Sequence, residues 1–345
     1  MQSFFSQRGP LQQRLILLFG GLVLANLAAW GWAVALFRDQ PALLGSAVLA
    51  YSLGLRHAVD ADHIAAIDNS TRKFMQEGQR PIAVGLYFSL GHSAVVLVMS
   101  VAVGLASAAL TQRFDAMKAV GGVISTGASA LFLFLLAIFN LFVLASVWRS
   151  FQALRRGEKL VDEDFDLLLN QRGLLARLFR PVFALVRKSW HLFPVGMLFG
   201  FGFDTATEVA LFGLSATQAA GGASPATLLV FPALFAAGMS LVDAADGALM
   251  LGAYGWAFLK PVRKIYYNLT ITAVSVVVAL AIGGIETLGL IGALMQLDGG
   301  FWDGVATLNA HFGLLGYAII GLFVASWLIS VAIYRLKGFD ALEGA

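Results

Sequence analysis

Eight stretches of predominantly apolar residues, each long enough to cross a lipid bilayer as a helix, decide what this chain can fold into. They cover about residues 15–37, 42–67, 81–110, 119–148, 193–219, 226–258, 265–294 and 311–334. One crossing takes ~20 residues. Inside lipid every backbone N–H and C=O must find a partner within the protein, which favours helices for runs of this length. Composition agrees: 59% of residues are hydrophobic and 12% are charged, about half the charged fraction of a soluble domain. The first run is too long for a signal peptide's apolar core and is kept as span 1. The expected fold is an all-α polytopic membrane protein of about eight transmembrane helices, with residues 1–345 forming one domain.

Lysine and arginine orient it. With the N-terminus in the cytoplasm, nineteen of the 23 basic residues fall in inside segments and three (Arg38, Arg113, Lys118) in outside segments, while Arg56 lies within a span. That asymmetry satisfies the positive-inside rule and places both termini in the cytoplasm. Residues 149–190 become a cytoplasmic loop between spans 4 and 5. In it, Asp162, Glu163 and Asp164 suit a helix N-terminus. Residues 174–188 mix apolar and basic side chains, as a helix on an anionic membrane surface or a solvated loop would. The basic residues are scattered over loops, so no nucleic-acid surface is implied. The chain has no Cys, which removes disulfides and thiolate metal sites and leaves nitrogen and oxygen ligands.

Ionisable residues at lipid depth are functional candidates by default. Here they concentrate in four spans. Span 2 carries Arg56, His57, Asp60, Asp62 and His63; span 3, His92; span 5, Asp204 and Glu208; span 6, Asp243 and Asp246. Each ionised carboxylate at that depth costs ~2.5–3.5 kcal/mol on insertion scales, and imidazole with carboxylate is what a divalent transition metal asks for. Asp204 and Glu208 share a helix face at i,i+4, as do Asp243 and Asp246 at i,i+3. Span 2 does not fit so simply. At ~100° per residue His57 and Asp62 lie roughly 140° apart. Either the helix breaks near Gly54 to His63, or its residues serve separate partners.

Structural roles compete at several positions. His92 could hydrogen-bond between helices, and Asp204 and Glu208 could form a network with Thr205 and Thr207. Asp246 could be a packing contact, and Asn140 in span 4 a packing hydrogen bond as readily as a ligand. Arg56 is expected to neutralise a neighbouring Asp. Glu286, His191 and His311 are read as interfacial. The 37 glycines suit close helix packing in lipid.

The motifs resemble those of the nickel/cobalt transporter family of permeases. Arg56 to Ile64 matches its span 2 signature, Leu90 to Ser93 its Leu-Gly-His-Ser element, Gly202 to Glu208 its Gly-Phe-Asp-Thr-Ala-Thr-Glu element, and Gly238 to Gly247 its Gly-Met-x3-Asp-x2-Asp-Gly element. The resemblance implies a non-enzymatic permease of the cytoplasmic membrane that takes up Ni2+, Co2+ or both. It implies no cofactor and no ATPase subunit, and the chain has no Gly-x4-Gly-Lys-Ser/Thr phosphate loop. The metal ligands it implies are His57, Asp62 and His63, then His92, Asp204, Glu208 and Asp243, supported by Arg56, Asp60, Thr205, Asp246 and Asn140. An exporter, an importer of another divalent metal and a membrane-embedded metalloenzyme are the alternatives.

Two expectations follow. Gly54-Leu55-Arg56-His57 echoes Gly202-Phe203-Asp204, and Ser89 to His92 echoes Ser240 to Asp243, so an inverted repeat relating spans 2–3 to spans 5–6 is possible. Ligation also needs neutral imidazole, so uptake should fall below pH ~6.5.

Overall fold

The computed structural model describes residues 8–105, 111–156, 186–201, 206–220, 222–257 and 261–336. These residues form eleven α-helices and no strand. In chain order they are α1 Arg8–Phe37, α2 Pro41–His57, α3 Ala61–Gln76, α4 Val84–Leu105, α5 Thr111–Arg155, α6 Leu192–Gly200, α7 Ala206–Ala220, α8 Pro225–Ala257, α9 Pro261–Met295, α10 Gly300–Ala310 and α11 Phe312–Leu336. A 3-10 turn, Ser189–His191, precedes α6.

Six of them (α1, α4, α5, α8, α9 and α11) are long and apolar enough to cross a membrane. The consecutive helices α2 and α3, bent by 51°, make a seventh span when counted together. Expected span 5 is covered by α6 and α7, which flank residues 202–205 outside the described residues. The protein is therefore a polytopic helical membrane protein with six or seven recognisable spans, where the apolar runs led us to expect eight. The acids at 162–164 and most of segment 174–188 also fall outside the described residues.

Span 2 is the main departure from regular geometry. α2 ends at His57 by tightening into short turns, with Val59 N–H donating to Arg56 O (3.1 Å) and Asp60 N–H to His57 O (2.9 Å). Asp60 then adopts an extended conformation (φ −65°, ψ 146°) as the N-cap of α3. The break falls at residues 58–60, beyond Gly54. It is tolerated at depth because protein covers it: the Val59 carbonyl lies against Gly316 of α11.

α3 runs nine residues past the expected end of span 2, to Gln76 rather than 67. Thirteen of its sixteen residues are buried, so its surroundings are protein on nearly every side. That is how Asp68, Arg72 and Lys73 sit inside the bundle and not, as the charge count assumed for the two bases, in a loop. Ser275 Oγ of α9 donates to Asp68 (2.7 Å), while Arg72 donates to Ser275 Oγ (2.6 Å) and Thr272 Oγ1 (3.2 Å). Lys73 Nζ reaches the Val186 carbonyl (2.6 Å) and Glu77 (2.8 Å).

α8 packs on α1, α2, α3 and α4. Its Phe231, Phe235 and Met239 meet Phe37, Ala50 and Val96 in one apolar core. Two of the crossings that depend on glycine share one pattern. A Cβ at Gly54 (α2) would strike the carbonyl of Phe235 (α8), and one at Gly238 (α8) would lie 2.9 Å from the carbonyl of Tyr51 (α2). The second crossing repeats the pattern: Gly91 (α4) lies on the carbonyl of Phe193 (α6), and Gly196 (α6) on that of Phe88 (α4). In each case the carbonyl belongs to an aromatic residue three positions before the opposing glycine. Such notches bring backbones closer than side chains permit.

Candidate metal site

The break in span 2 removes the constraint that kept the residues of a regular helix from converging, and His57 and His63 come together across it. His57 is the last residue of α2, where the helix dipole favours a cation, and His63 lies in the first turn of α3. Their ring centroids come within 4.7 Å, and His92 of α4 closes the group at 4.7 Å from His57 and 5.0 Å from His63. Each ring offers a nitrogen within 4.8 Å of the others, and all three residues are buried. His57 Nε2 and His92 Nε2 are 3.0 Å apart. Two nitrogens bound to one ion at ~2.1 Å and at a right angle would have this separation.

Two of the rings, His57 and His63, have oxygen partners behind them on Nδ1. His57 Nδ1 faces Asp60 Oδ2 at 3.1 Å and Thr207 Oγ1 of α7 at 3.0 Å. His63 Nδ1 faces both oxygens of Asp243 of α8, at 3.3 and 3.4 Å. In His92 it is Nε2, the nitrogen facing His57, that meets Glu208 Oε1 of α7 at 3.0 Å, while its Nδ1 is buried without a hydrogen-bond partner. A proton on the Nδ1 atoms of His57 and His63 leaves both Nε2 lone pairs free to bind metal. His63 Nε2 is buried without a hydrogen-bond partner. Such an acceptor costs free energy unless a ligand takes it up.

A cavity of about 410 Å³ leads to this group. Its inner wall is His57, Asp60, Asp62, His92 and Glu208. Its other wall is Ser125, Thr126 and Ser129 of α5, Glu286 of α9, and Asn309, Ala310, Phe312 and Gly313 at the α10–α11 junction. Ser125 donates to the Phe199 carbonyl, tying α5 to α6 beside the cavity.

The remaining sequence candidates divide. Asp62 lines the cavity, and its Oδ1 accepts from the His63 N–H at 3.0 Å. Arg56 lines it too, and its guanidinium and Asp60 Oδ1 each lie 3.3 Å from where a Cβ on Gly313 would stand, without a direct salt bridge to a described carboxylate. Asp246 is half-buried one turn along α8 from Asp243, outside the imidazole group. Asn140 donates to Asn69 Oδ1 at 2.6 Å, a packing hydrogen bond between α5 and α3. Asp204 and Thr205 lie outside the described residues. His191 and His311 are not buried, as their places at span edges suggested. Glu286 is a correction. It is 3% exposed, accepts from Ser129 Oγ at 2.8 and 2.9 Å, and faces the cavity and not the membrane interface. Asp68 was missed because span 2 was ended at residue 67.

Comparison with known proteins fits this geometry. Residues 43–333 match the NicO family, described as high-affinity nickel-transport protein. The chain is 56% identical over 335 residues to the high-affinity nickel transport protein of Cupriavidus necator, covering 97% of this chain and 95% of that one. It is 44% identical over 327 residues to the high-affinity nickel-transport protein NixA of Helicobacter pylori strain J99, covering 93% and 97%. It is 38% identical over 334 residues to the cobalt transport protein NhlF of Rhodococcus rhodochrous, covering 94% of each. No solved structure shows a significant match. The family match over residues 43–333 and the identity along nearly the full length of these relatives show that this non-enzymatic transport protein belongs to the high-affinity nickel-transport family.

Proposed function

We propose that the protein takes up Ni2+, and Co2+ by the same route, across the cytoplasmic membrane as a permease without an ATPase. The observation that carries this reading is the meeting of three buried imidazoles, His57, His63 and His92, two of which, His57 and His92, line the cavity. Imidazole suits these ions over Mg2+ and Ca2+, which take oxygen shells. The ion exchanges water for His57 Nε2, His63 Nε2 and His92 Nε2. Asp62 and Glu208 supply oxygen and charge, Asp204 is the further carboxylate of the set, and Asp60, Thr207 and Asp243 hold the rings. The termini and residues 149–190 lie in the cytoplasm, so the cavity opens outward.

The paired glycine crossings support an inverted repeat. Exchanging α2 with α6 and α4 with α8 turns one crossing into the other, Tyr51–Gly54 matching Phe193–Gly196 and Phe88–Gly91 matching Phe235–Gly238. This register differs from the sequence echo, which paired Gly54 with Gly202. Rocking of the repeats would expose the site to the two sides in turn.

Uptake of radiolabelled Ni2+ and Co2+ by cells tests the reading, with His57→Ala as control. Accumulation that disappears in His57→Ala is expected. Accumulation that survives refutes the site, and net loss of metal from loaded cells refutes import.

A further inference from the structure

The cavity above His57 and His92 adjoins a wider groove of about 840 Å³ at the α9–α10 end of the bundle. Thr126, Glu286 and Asn309 line both, so they form the neck between them. Glu286 is the charged member of the three. On the outer side the groove carries Asp298 and Asp303, both exposed, and no basic residue among its described lining. On the inner side Asp60, Asp62 and Glu208 face a single guanidinium, that of Arg56. A cleft of one dominant charge between low-dielectric walls focuses the field and raises the local concentration of counter-ions. A second observation points to a cation: Asp60, its side chain 5% exposed, lines the same cavity with Oδ1 lacking a hydrogen-bond partner.

We propose that Glu286, held by Ser129, is a capture site where a hydrated divalent cation docks before it gives up water to the imidazoles. The inference rests on the reading of the cavity as the metal's path. The two stations differ in chemistry. A carboxylate with water selects by charge, so Mg2+ also docks at Glu286. The imidazoles select by ligand type, so Mg2+ stops there. Both oxygens of Glu286 face one hydroxyl, at 2.8 and 2.9 Å, which fixes the carboxylate at the neck.

The test is 63Ni2+ uptake over a range of concentrations and ionic strengths, with full-length Glu286→Gln. Vmax/KM should fall about tenfold and depend less steeply on ionic strength, with Vmax held within about twofold. Calorimetry of the purified chain with NiCl2 should resolve a tight class of site and a weak one. Glu286→Gln loses the weak class, which MgCl2 alone also fills in the wild type, and His57→Ala loses the tight class. Unchanged Vmax/KM and salt dependence in Glu286→Gln overturn the proposal, as does a fall in Vmax at constant KM. If Glu286→Gln does not fold, Ser129→Ala decides by the same two readouts, with a smaller fall expected and no change refuting. A His57→Ala chain that keeps tight binding and uptake refutes the imidazole site and leaves the Glu286 result separately readable.

Discussion

Asp243→Asn tests whether the carboxylate behind His63 tunes the site from a distance. Asp243 is fully buried and its oxygens lie 3.3 and 3.4 Å from His63 Nδ1. An ion on the far nitrogen of that ring, with an N–metal bond of ~2.1 Å, sits ~7 Å from the carboxylate. At an effective dielectric of ~20 the attraction between a dication and a carboxylate over ~7 Å is about 5 kcal/mol. Water in the cavity and the neighbouring charges reduce it. Outer-shell partners of metal-bound histidine typically change affinity 10–100-fold, about 1.4–2.7 kcal/mol. Complete burial puts Asp243 near the upper end, so Asp243→Asn should weaken Ni2+ binding by roughly 50–100-fold in calorimetry. The amide oxygen can still accept from Nδ1–H, so the ring keeps its orientation and the loss reports charge. Binding within about twofold of wild type would refute the reasoning.

Three further outcomes are expected. Gly91→Ala sets a Cβ against the Phe193 carbonyl, and an overpacked contact costs about 1–3 kcal/mol; thermal unfolding in detergent should show a lower midpoint. Arg72→Leu leaves Asp68 buried without its cation at 3.7 Å, a loss of about 3–5 kcal/mol; Arg72→Leu with Asp68→Leu should recover part of it in the same assay. Lowering the pH through ~6.5 puts protons in competition with the metal for imidazole, so Ni2+ uptake should decline as pH falls, and undiminished uptake at pH 5 would count against His ligation.

Much of the site was legible in the residues. Helical angles alone kept His57, Asp62 and His63 from pointing at one ion unless span 2 broke or its residues served separate partners, and the break is there. What escaped was burial around the helix axis. Hydropathy registers contact with lipid, and α3 is enclosed by α5, α8, α9 and α11. Its polar residues after Ile67 therefore look like loop, although Ser275 meets Asp68, Thr272 meets Arg72 and Asn140 meets Asn69. Glu286 was misread for a related reason. Nearness to the end of a span along the chain says nothing about whether a side chain faces lipid or a neighbour, and here Ser129 and the cavity lie on its side.

The glycine crossings limit how this protein can recover from mutation. A collision between two side chains can be relieved by trimming either of them. At Gly54, Gly91, Gly196 and Gly238 the obstacle is a main-chain carbonyl, which no codon change can shorten. Second-site suppressors of a substitution at these positions should therefore not be found at the contacting residue. Reversion to glycine is the local remedy, and a library selected for regained uptake should return it far more often than any partner change.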